Sequence, residues 1–387
     1  MSEEEEISRI LYLMGEEGKS TMHGAVVSPV FQTTNFAFPT VSDYRKAMAN
    51  EKDTSLYTRG NNPTVRLVEK KLAALQGTED ALLFGSGSAA IAAGVITLVS
   101  SGDHVICVRS AYSWTLKLLN PLLDRFDVSH TTVDGRSLDH IISARTASTR
   151  LLILESPNSF LFEMQDLKAA IYWAKSQGIK VLVDNSYGTP LNRYSAICGA
   201  DLIAHSATKF IGGHSDVVAG LLCGSNALMA EVFKGAYMTL GAALAPMNAW
   251  LLMRGMRTMP LRMAHSARTC HEVVDFLKKQ SWVERVSWPF DQDYPQRDLA
   301  REQFNTEVSM FSVVVKYQVE KQLEDFCDSM RVLQIAASWG GYESLIVPAV
   351  AFDNPLWPRG LMRVYIGLES PELLIDDLKQ AATKAGL

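Results

Sequence analysis

Lys209 lies in the stretch Ser206-Ala207-Thr208-Lys209-Phe210-Ile211-Gly212-Gly213-His214, with hydroxyl residues before it and two glycines after it. A lysine becomes a nucleophile toward a carbonyl carbon when its surroundings depress its pKa. The hydroxyls of Ser206 and Thr208 suit phosphate oxygens, and the glycines let the backbone turn tightly beside a ligand. On its own, the stretch reads more readily as a surface lysine in a polar loop, because perturbed groups are rare away from functional sites.

Two other segments shift that balance. Val181-Leu182-Val183 runs straight into Asp184, which puts a carboxylate at the carboxyl end of an apolar, strand-like run. Ligands of open α/β sheets bind at that edge. A carboxylate there pairs with a protonated pyridine nitrogen and keeps the ring an electron sink. The competing reading, a loop-capping aspartate in Asp184-Asn185-Ser186-Tyr187-Gly188, weighs about the same. Gly85-Ser86-Gly87-Ser88-Ala89-Ala90 separates an apolar run from an apolar helix. The backbone N–H groups of Gly87 and Ser88 at such a helix start suit a phosphate. The same letters fit a weak dinucleotide fingerprint, which requires an acidic residue at the end of the next strand. That strand, His104 to Val108, ends in Arg109-Ser110, so a dinucleotide is disfavoured. Pyridoxal phosphate, bonded as a Schiff base to Lys209, is the ligand that satisfies all three segments together.

Four further positions carry weaker signals. Tyr112 follows the second strand and could stack on an aromatic ring, although a core tyrosine fits its position equally. Tyr57-Thr58-Arg59 precedes a helix, where exposed residues usually have no chemical role. Arg363 stands in an apolar strand pattern, and a buried guanidinium needs an anion. A substrate carboxylate held in bidentate fashion would supply it, as would a structural acid. The histidines, His205 and His214 included, show no metal-ligand spacing.

Elements in a regular order must position these residues. Val65 to Leu75 has helical periodicity, Ala81 to Phe84 reads as a buried strand, and Ala89 to Val99 as a buried helix. His104 to Val108, Leu151 to Leu154 and Val181 to Val183 read as further strands. Asp166 to Gln177 reads as a helix that stops at Gly178. This alternation predicts a mostly parallel α/β sheet. After Pro246 come a long helix, Ala249 to Met263, and its continuation, His265 to Lys279. They are followed by a strand, Ser309 to Val315, a helix, Gln318 to Ser329, an alternating strand, Leu361 to Ile366, and a last helix, Pro371 to Ala385. The division is an irregular N-terminal arm over 1–60, a large domain over 61–245 and a smaller α+β domain over 246–387. The arm cannot make a core of its own, so it is expected to pack on another domain or subunit.

The 387 residues are 47% hydrophobic and 20% charged, with a net charge of −5, which fits a globular protein and gives no field for nucleic acid. The acidic start, Met1-Ser2-Glu3-Glu4-Glu5-Glu6, lacks the pattern of a secretory signal, and no apolar run is long enough for a membrane span. Five scattered cysteines without CxxC spacing read as buried thiols in a reducing cytoplasm.

Taken together, these segments resemble the Cys/Met metabolism family of pyridoxal-phosphate enzymes. The resemblance rests on Ser206-Ala207-Thr208-Lys209 followed by Gly212-Gly213-His214-Ser215-Asp216, and on Tyr57-Thr58-Arg59 followed by Asn62-Pro63-Thr64. It also rests on Asp184-Asn185 with Thr189-Pro190, on Ser338 with Gly340-Gly341 and Glu343-Ser344-Leu345, and on Arg363 with Gly367-Leu368-Glu369. It implies a fold-type I transferase with a seven-stranded sheet. Lys209 then bonds the cofactor, Asp184 faces its pyridine nitrogen and Tyr112 stacks on its ring. Ser206, Thr208, Gly87 and Ser88 hold the phosphate. Tyr57 and Arg59 would reach a neighbouring subunit's site, which makes a homodimer the least assembly and a tetramer the expected one. Arg363 and Ser338 would hold the substrate carboxylate, with Tyr57 nearby, and Lys209 and Tyr112 would move protons.

Departures from the pattern bear on the substrate. Many members carry Glu-x-Pro-x-Asn-Pro, whereas this chain has Glu155-Ser156-Pro157-Asn158-Ser159-Phe160. Trp114 stands in Tyr112-Ser113-Trp114-Thr115 where glycine or cysteine is usual, and would narrow the side-chain pocket. Ala337 stands where γ-synthases and cystathionine γ-lyases tend to carry a glutamate. The resemblance favours a carbon–sulfur lyase acting by β-elimination on cystathionine or a related cysteine conjugate. The alternatives are a cystathionine γ-synthase, a methionine or cystathionine γ-lyase, a homoserine-ester sulfhydrylase, or a silent cofactor-binding partner protein.

Overall fold

Between Asp80 and Gly224, short apolar runs alternate with helices, and in a computed structural model the runs pair into one sheet. Residues 2–14, 23–192 and 197–387 are described. The strands are β1 (Asp80–Phe84), β2 (His104–Val108), β3 (Ser129–Val133), β4 (Thr149–Glu155), β5 (Lys180–Asp184), β6 (Leu202–His205) and β7 (Gly220–Gly224). Their order is β1-β7-β6-β5-β4-β2-β3. Only β7 runs against its neighbours, and the other pairings are parallel. Leu151 to Leu154 and Val181 to Val183 are buried on both faces, which is why they read as continuous apolar runs. A second sheet follows: β8 (Val283–Ser287), β9 (Met310–Val315), β10 (Gln334–Ile335), β11 (Leu345–Pro348) and β12 (Leu361–Tyr365), in the order β10-β11-β12-β9-β8.

Local signals start and stop the helices as the sequence suggests. In the helix Pro63–Gln76, Asn62 accepts the N–H of Thr64, Pro63 takes the first helical position, and Gly77 ends the helix with φ +75. Val65, Val68, Leu72 and Leu75 face the core. Asp166 caps the helix Leu167–Ser176 at Ala169.

Several expectations need correction. The N-terminal arm is not irregular throughout. Glu3–Tyr12 and Val41–Ala49 are helices, the first carrying a capping box from Ser2 and Glu5. Ile10 and Leu11 sink into the main core, and the buried Lys71 ammonium donates to the Leu11 carbonyl at 3.1 Å. Part of the arm, residues 15–22, lies outside the described residues. The two helical segments after Pro246 are one helix, Pro246–Lys278, which continues through Pro260. Its first half packs into the main core, and Cys270 to Leu277 pack into the core of the second sheet. The helix expected from Gln318 starts at Lys321. The strand β12 is buried along its whole length rather than on alternate faces. Four cysteines are buried, but Cys198 is exposed. Among the described residues, no helix is long and apolar enough to cross a membrane.

Candidate active site

The parallel strands deliver their last residues to one edge of the large sheet. β4 ends at Glu155 and β5 at Asp184, which are paired in register. β6 ends at His205, directly before Ser206. The loop Ser338–Gly341 and Arg363 of β12 come to the same edge from the second sheet, as contacts to Lys209 and Ser159 show.

Lys209 is the centre of this cluster. Its Nζ donates to Ser338 Oγ at 2.5 Å and lies 5.4 Å from the centroid of the Trp339 ring. Burial pulls its pKa down to about 8. Repulsion from Arg363 adds to that effect and attraction to Asp184 opposes it. The amine is therefore partly neutral near physiological pH, which a carbonyl-directed nucleophile or a general base requires. The glycines after it serve a purpose beyond a tight turn. Gly213 has φ +69, and a Cβ there would lie 2.0 Å from Arg262 Nη1, so glycine lets the long helix close against the Lys209 loop.

Asp184 is buried, and its Oδ1 accepts the N–H of Ser186 at 3.0 Å and its hydroxyl at 2.6 Å. No described hydrogen bond reaches Oδ2. Burial raises the Asp184 carboxyl above its ordinary range, against the pull of Ser186 and Lys209. A cation against Oδ2 would supply the missing counter-charge.

A phosphate-sized cradle lies nearby. The helix Gly87–Leu98 is capped by Ser86, which accepts the N–H of Ala89 at 3.1 Å. The N–H groups of Gly87 and Ser88 have no acceptor within the helix. A Cβ on Gly87 would lie 3.0 Å from Ser206 Cα and Cβ, so any side chain there would push this turn and Ser206 apart. Thr208 is more committed than the sequence suggests: its hydroxyl donates to the Ala219 carbonyl at 3.1 Å and accepts the Ala219 N–H at 2.9 Å.

Arg363 is buried, and no described carboxylate forms an ion pair with it. Its Nη1 and Nη2 reach the carbonyls of Ser159 and Ser338 at 3.5 and 3.3 Å, and its guanidinium lies 4.7 Å from the centroid of Phe160. Burial lowers its pKa to about 10, with Glu155 opposing, so it stays charged near neutral pH. Ser338 holds a φ of +84, in the left-handed region.

The structure does not bring every candidate to this cluster. Tyr57 and Arg59 are exposed on the arm, and Arg59 Cζ lies 5.6 Å from the Tyr57 ring. Among the described residues, neither has a recorded hydrogen bond or ring contact with Lys209, Asp184 or Arg363. Tyr112 is 40% exposed, and its own N–H is held by Glu155 Oε2 at 2.6 Å. Trp114 is exposed, with Lys117 Nζ 4.3 Å from its ring centroid, and Ala337 is exposed.

Sequence reasoning passed over Glu155, Ser159, Phe160 and Ser186 as site residues. Glu155 ends an apolar strand run as Asp184 does, and that signal could have found it. Burial raises its pKa to about 8, the Asp184 charge adds to this, and Ser159 Oγ and the Tyr112 N–H oppose it. Asn158, next to Ser159 in this stretch, turns to Glu163, donating to Oε2 at 3.0 Å.

The cluster thus joins a depressed amine, a buried acid with a free oxygen, open helix-start amides and an unpaired arginine. Those groups fit an aldehyde, a pyridine nitrogen and a phosphate. The sequence pattern of the Cys/Met metabolism PLP-dependent enzymes matches residues 11–383. An L-methionine gamma-lyase of Treponema denticola is 35% identical over 375 residues, covering 94% of this chain and 93% of that protein. A cystathionine beta-lyase of Lactococcus lactis subsp. cremoris is 33% identical over 93% of this chain and 95% of its own length. The crystal structure of metB from Corynebacterium glutamicum superimposes with a TM-score of 0.90 at 28% identity, covering 99% of both chains.

Proposed function

Because the chain belongs to the Cys/Met metabolism family of PLP-dependent enzymes, we propose that it is a carbon–sulfur lyase acting by β-elimination on L-cystathionine or a related cysteine conjugate. The observation that carries this reading is the Lys209 amine, buried against Ser338 and Trp339, with its pKa lowered to about 8 by burial and by Arg363 against the pull of Asp184. Lys209 would bond the cofactor aldehyde, and Asp184 would hold the pyridine nitrogen. The amides of Gly87 and Ser88 would hold the phosphate with Ser206, and Thr208 would join them by turning its single hydroxyl proton from the Ala219 carbonyl to the phosphate. Tyr112 would lie against the ring. Tyr57 and Arg59 complete the phosphate site of a second subunit. When bound, pyridoxal phosphate supplies an electron sink for charge developing at the substrate Cα.

The protein groups do the rest. Arg363, desolvated and lacking a carboxylate partner, takes the substrate α-carboxylate, assisted by Ser338. The Lys209 amine is placed to accept the substrate Cα proton as general base. Asp184 would hold positive charge on the ring nitrogen, which keeps the cofactor an electron sink. β-Elimination then breaks the Cβ–S bond, and the three-carbon fragment hydrolyses to pyruvate and ammonia. One proton acceptor suffices for that route, whereas γ-elimination moves a second proton, from Cβ. Glu155 is held by Tyr112 and Ser159, which leaves Lys209 as the base. A second reading, γ-elimination from methionine, draws support from the methionine gamma-lyases that are 35% identical.

Product analysis separates the two readings. The purified holoenzyme should release pyruvate and homocysteine from L-cystathionine. Release of 2-oxobutyrate, from cystathionine or from methionine, would replace β- with γ-chemistry.

A further inference from the structure

Arg363 is a cation with poor conventional partners. Its two hydrogen bonds, 3.5 and 3.3 Å to the carbonyls of Ser159 and Ser338, lie beyond the usual N–H···O range. No described carboxylate pairs with it, yet it is only 9% exposed. What lies against it is an aromatic stack. Arg363 Cζ is 4.7 Å from the Phe160 centroid. Phe160 is itself stacked on Trp357, with centroids 4.1 Å apart and planes at 23°, and it meets Phe352 edge-on at 6.0 Å.

The stack is tied to the arginine's own sheet. Ser312 lies directly across from Arg363 in the β12–β9 pairing. The Ser312 hydroxyl donates to the Phe160 carbonyl at 2.6 Å. The ring and the guanidinium are therefore fixed to the same point of the second sheet, although 203 positions of sequence separate Phe160 from Arg363 (363 − 160). An aromatic face carries partial negative charge, and its attraction for a guanidinium strengthens when water is excluded. A ring this close also restricts how the guanidinium turns, and bidentate binding of a carboxylate requires a set orientation.

We propose that Phe160, backed by Trp357, is a positioning residue whose ring stands in for a counter-ion and sets the plane of Arg363 for the substrate carboxylate. This rests on the reading of Arg363 as the carboxylate-binding residue. Phe160 touches neither substrate nor cofactor in this role and acts through Arg363. Loss of the ring face weakens the binding of α-amino acids without displacing the cofactor.

The test is the dissociation constant of L-norvaline, an amino acid without a sulfur leaving group, from the holoenzyme, read from the change in bound-cofactor absorbance. Phe160→Leu, which fills the volume without a π face, should weaken L-norvaline about tenfold and leave cofactor occupancy intact. Phe160→Tyr should return affinity to within about twofold of wild type. Trp357→Leu, at a partly exposed site, should weaken it by about threefold and carries the test if Phe160→Leu does not fold. Wild-type affinity in Phe160→Leu, or in Trp357→Leu where only that variant folds, would overturn the proposal. So would equal losses in Phe160→Leu and Phe160→Tyr, which would mark a packing role. Arg363→Ala separates the two claims. If it binds L-norvaline as wild type does, the carboxylate reading fails and this proposal with it. If it loses binding while Phe160→Leu keeps it, only the aromatic platform fails.

Discussion

At the scale of single residues, the site consists of groups held away from their ordinary ionisation. Lys209 titrates near 8 because burial and Arg363 disfavour its charge more than Asp184 restores it. Only the neutral amine attacks an aldehyde. The rate at which apoenzyme rebinds pyridoxal phosphate should therefore rise with pH and level off once pH passes about 8. An ordinary lysine would keep accelerating toward about pH 10. Stopped-flow absorbance of the apoenzyme over that range reads the difference, and a rise still continuing well above 8 would show an unperturbed amine. Asp184 and Arg363 were legible as candidates because each ends or interrupts an apolar pattern, and Lys209 because hydroxyl residues and glycines flank it. The state of Thr208 was not, since its closure on Ala219 depends on a pairing eleven residues away (219 − 208). Nor was the role of Glu155. Its two donors, Tyr112 and Ser159, come from separate loops that only the folded sheet brings together.

At the scale of elements, strand ends and one helix start place the chemistry. β4 and β5 stop in register at Glu155 and Asp184. The helix Gly87–Leu98 brings its first turn against Ser206, so close that a Cβ at Gly87 would lie 3.0 Å from Ser206 Cα and Cβ. Gly87→Ala should push that turn outward at a cost of about 1–3 kcal/mol in stability. It should also weaken cofactor binding by roughly tenfold or more, because the amides lose their aim. Equilibrium dialysis of pyridoxal phosphate against the variant measures this, and unchanged affinity would remove the amides from the phosphate site. The strands β1, β2, β4 and β5 and the helices over Pro63–Gln76, Gly87–Leu98 and Pro371–Ala385 were legible because buried apolar runs and caps mark them. β3, largely unburied, and β6 and β7 escaped notice. Leu202-Ile203-Ala204-His205 ends in a histidine that burial keeps neutral, and β7 is only a short run bounded by Gly220 and Gly224. The N-terminal helices were missed for a related reason. Glu3–Tyr12 is rich in glutamate, and its short apolar face counts only once it meets the helix Pro63–Gln76.

At the scale of the whole molecule, one chain leaves part of the expected site at its surface. Tyr57 and Arg59 project from the arm, and exposed Val26, Val27 and Phe31 accompany them. If two subunits share sites, inactive Lys209→Ala and Arg59→Ala chains should complement each other. Co-refolding equal amounts should recover about a quarter of wild-type activity, because half the dimers are mixed and each has one intact site. No recovery would confine every active-site residue to a single chain. The linkage of the whole site to one amine is tested most directly by reducing the holoenzyme with borohydride and mapping its peptides by mass. A pyridoxyl group should appear on the peptide containing Lys209 and on no other lysine. A label on a different lysine, or none on purified holoenzyme, would contradict the assignment of Lys209 as the cofactor's anchor.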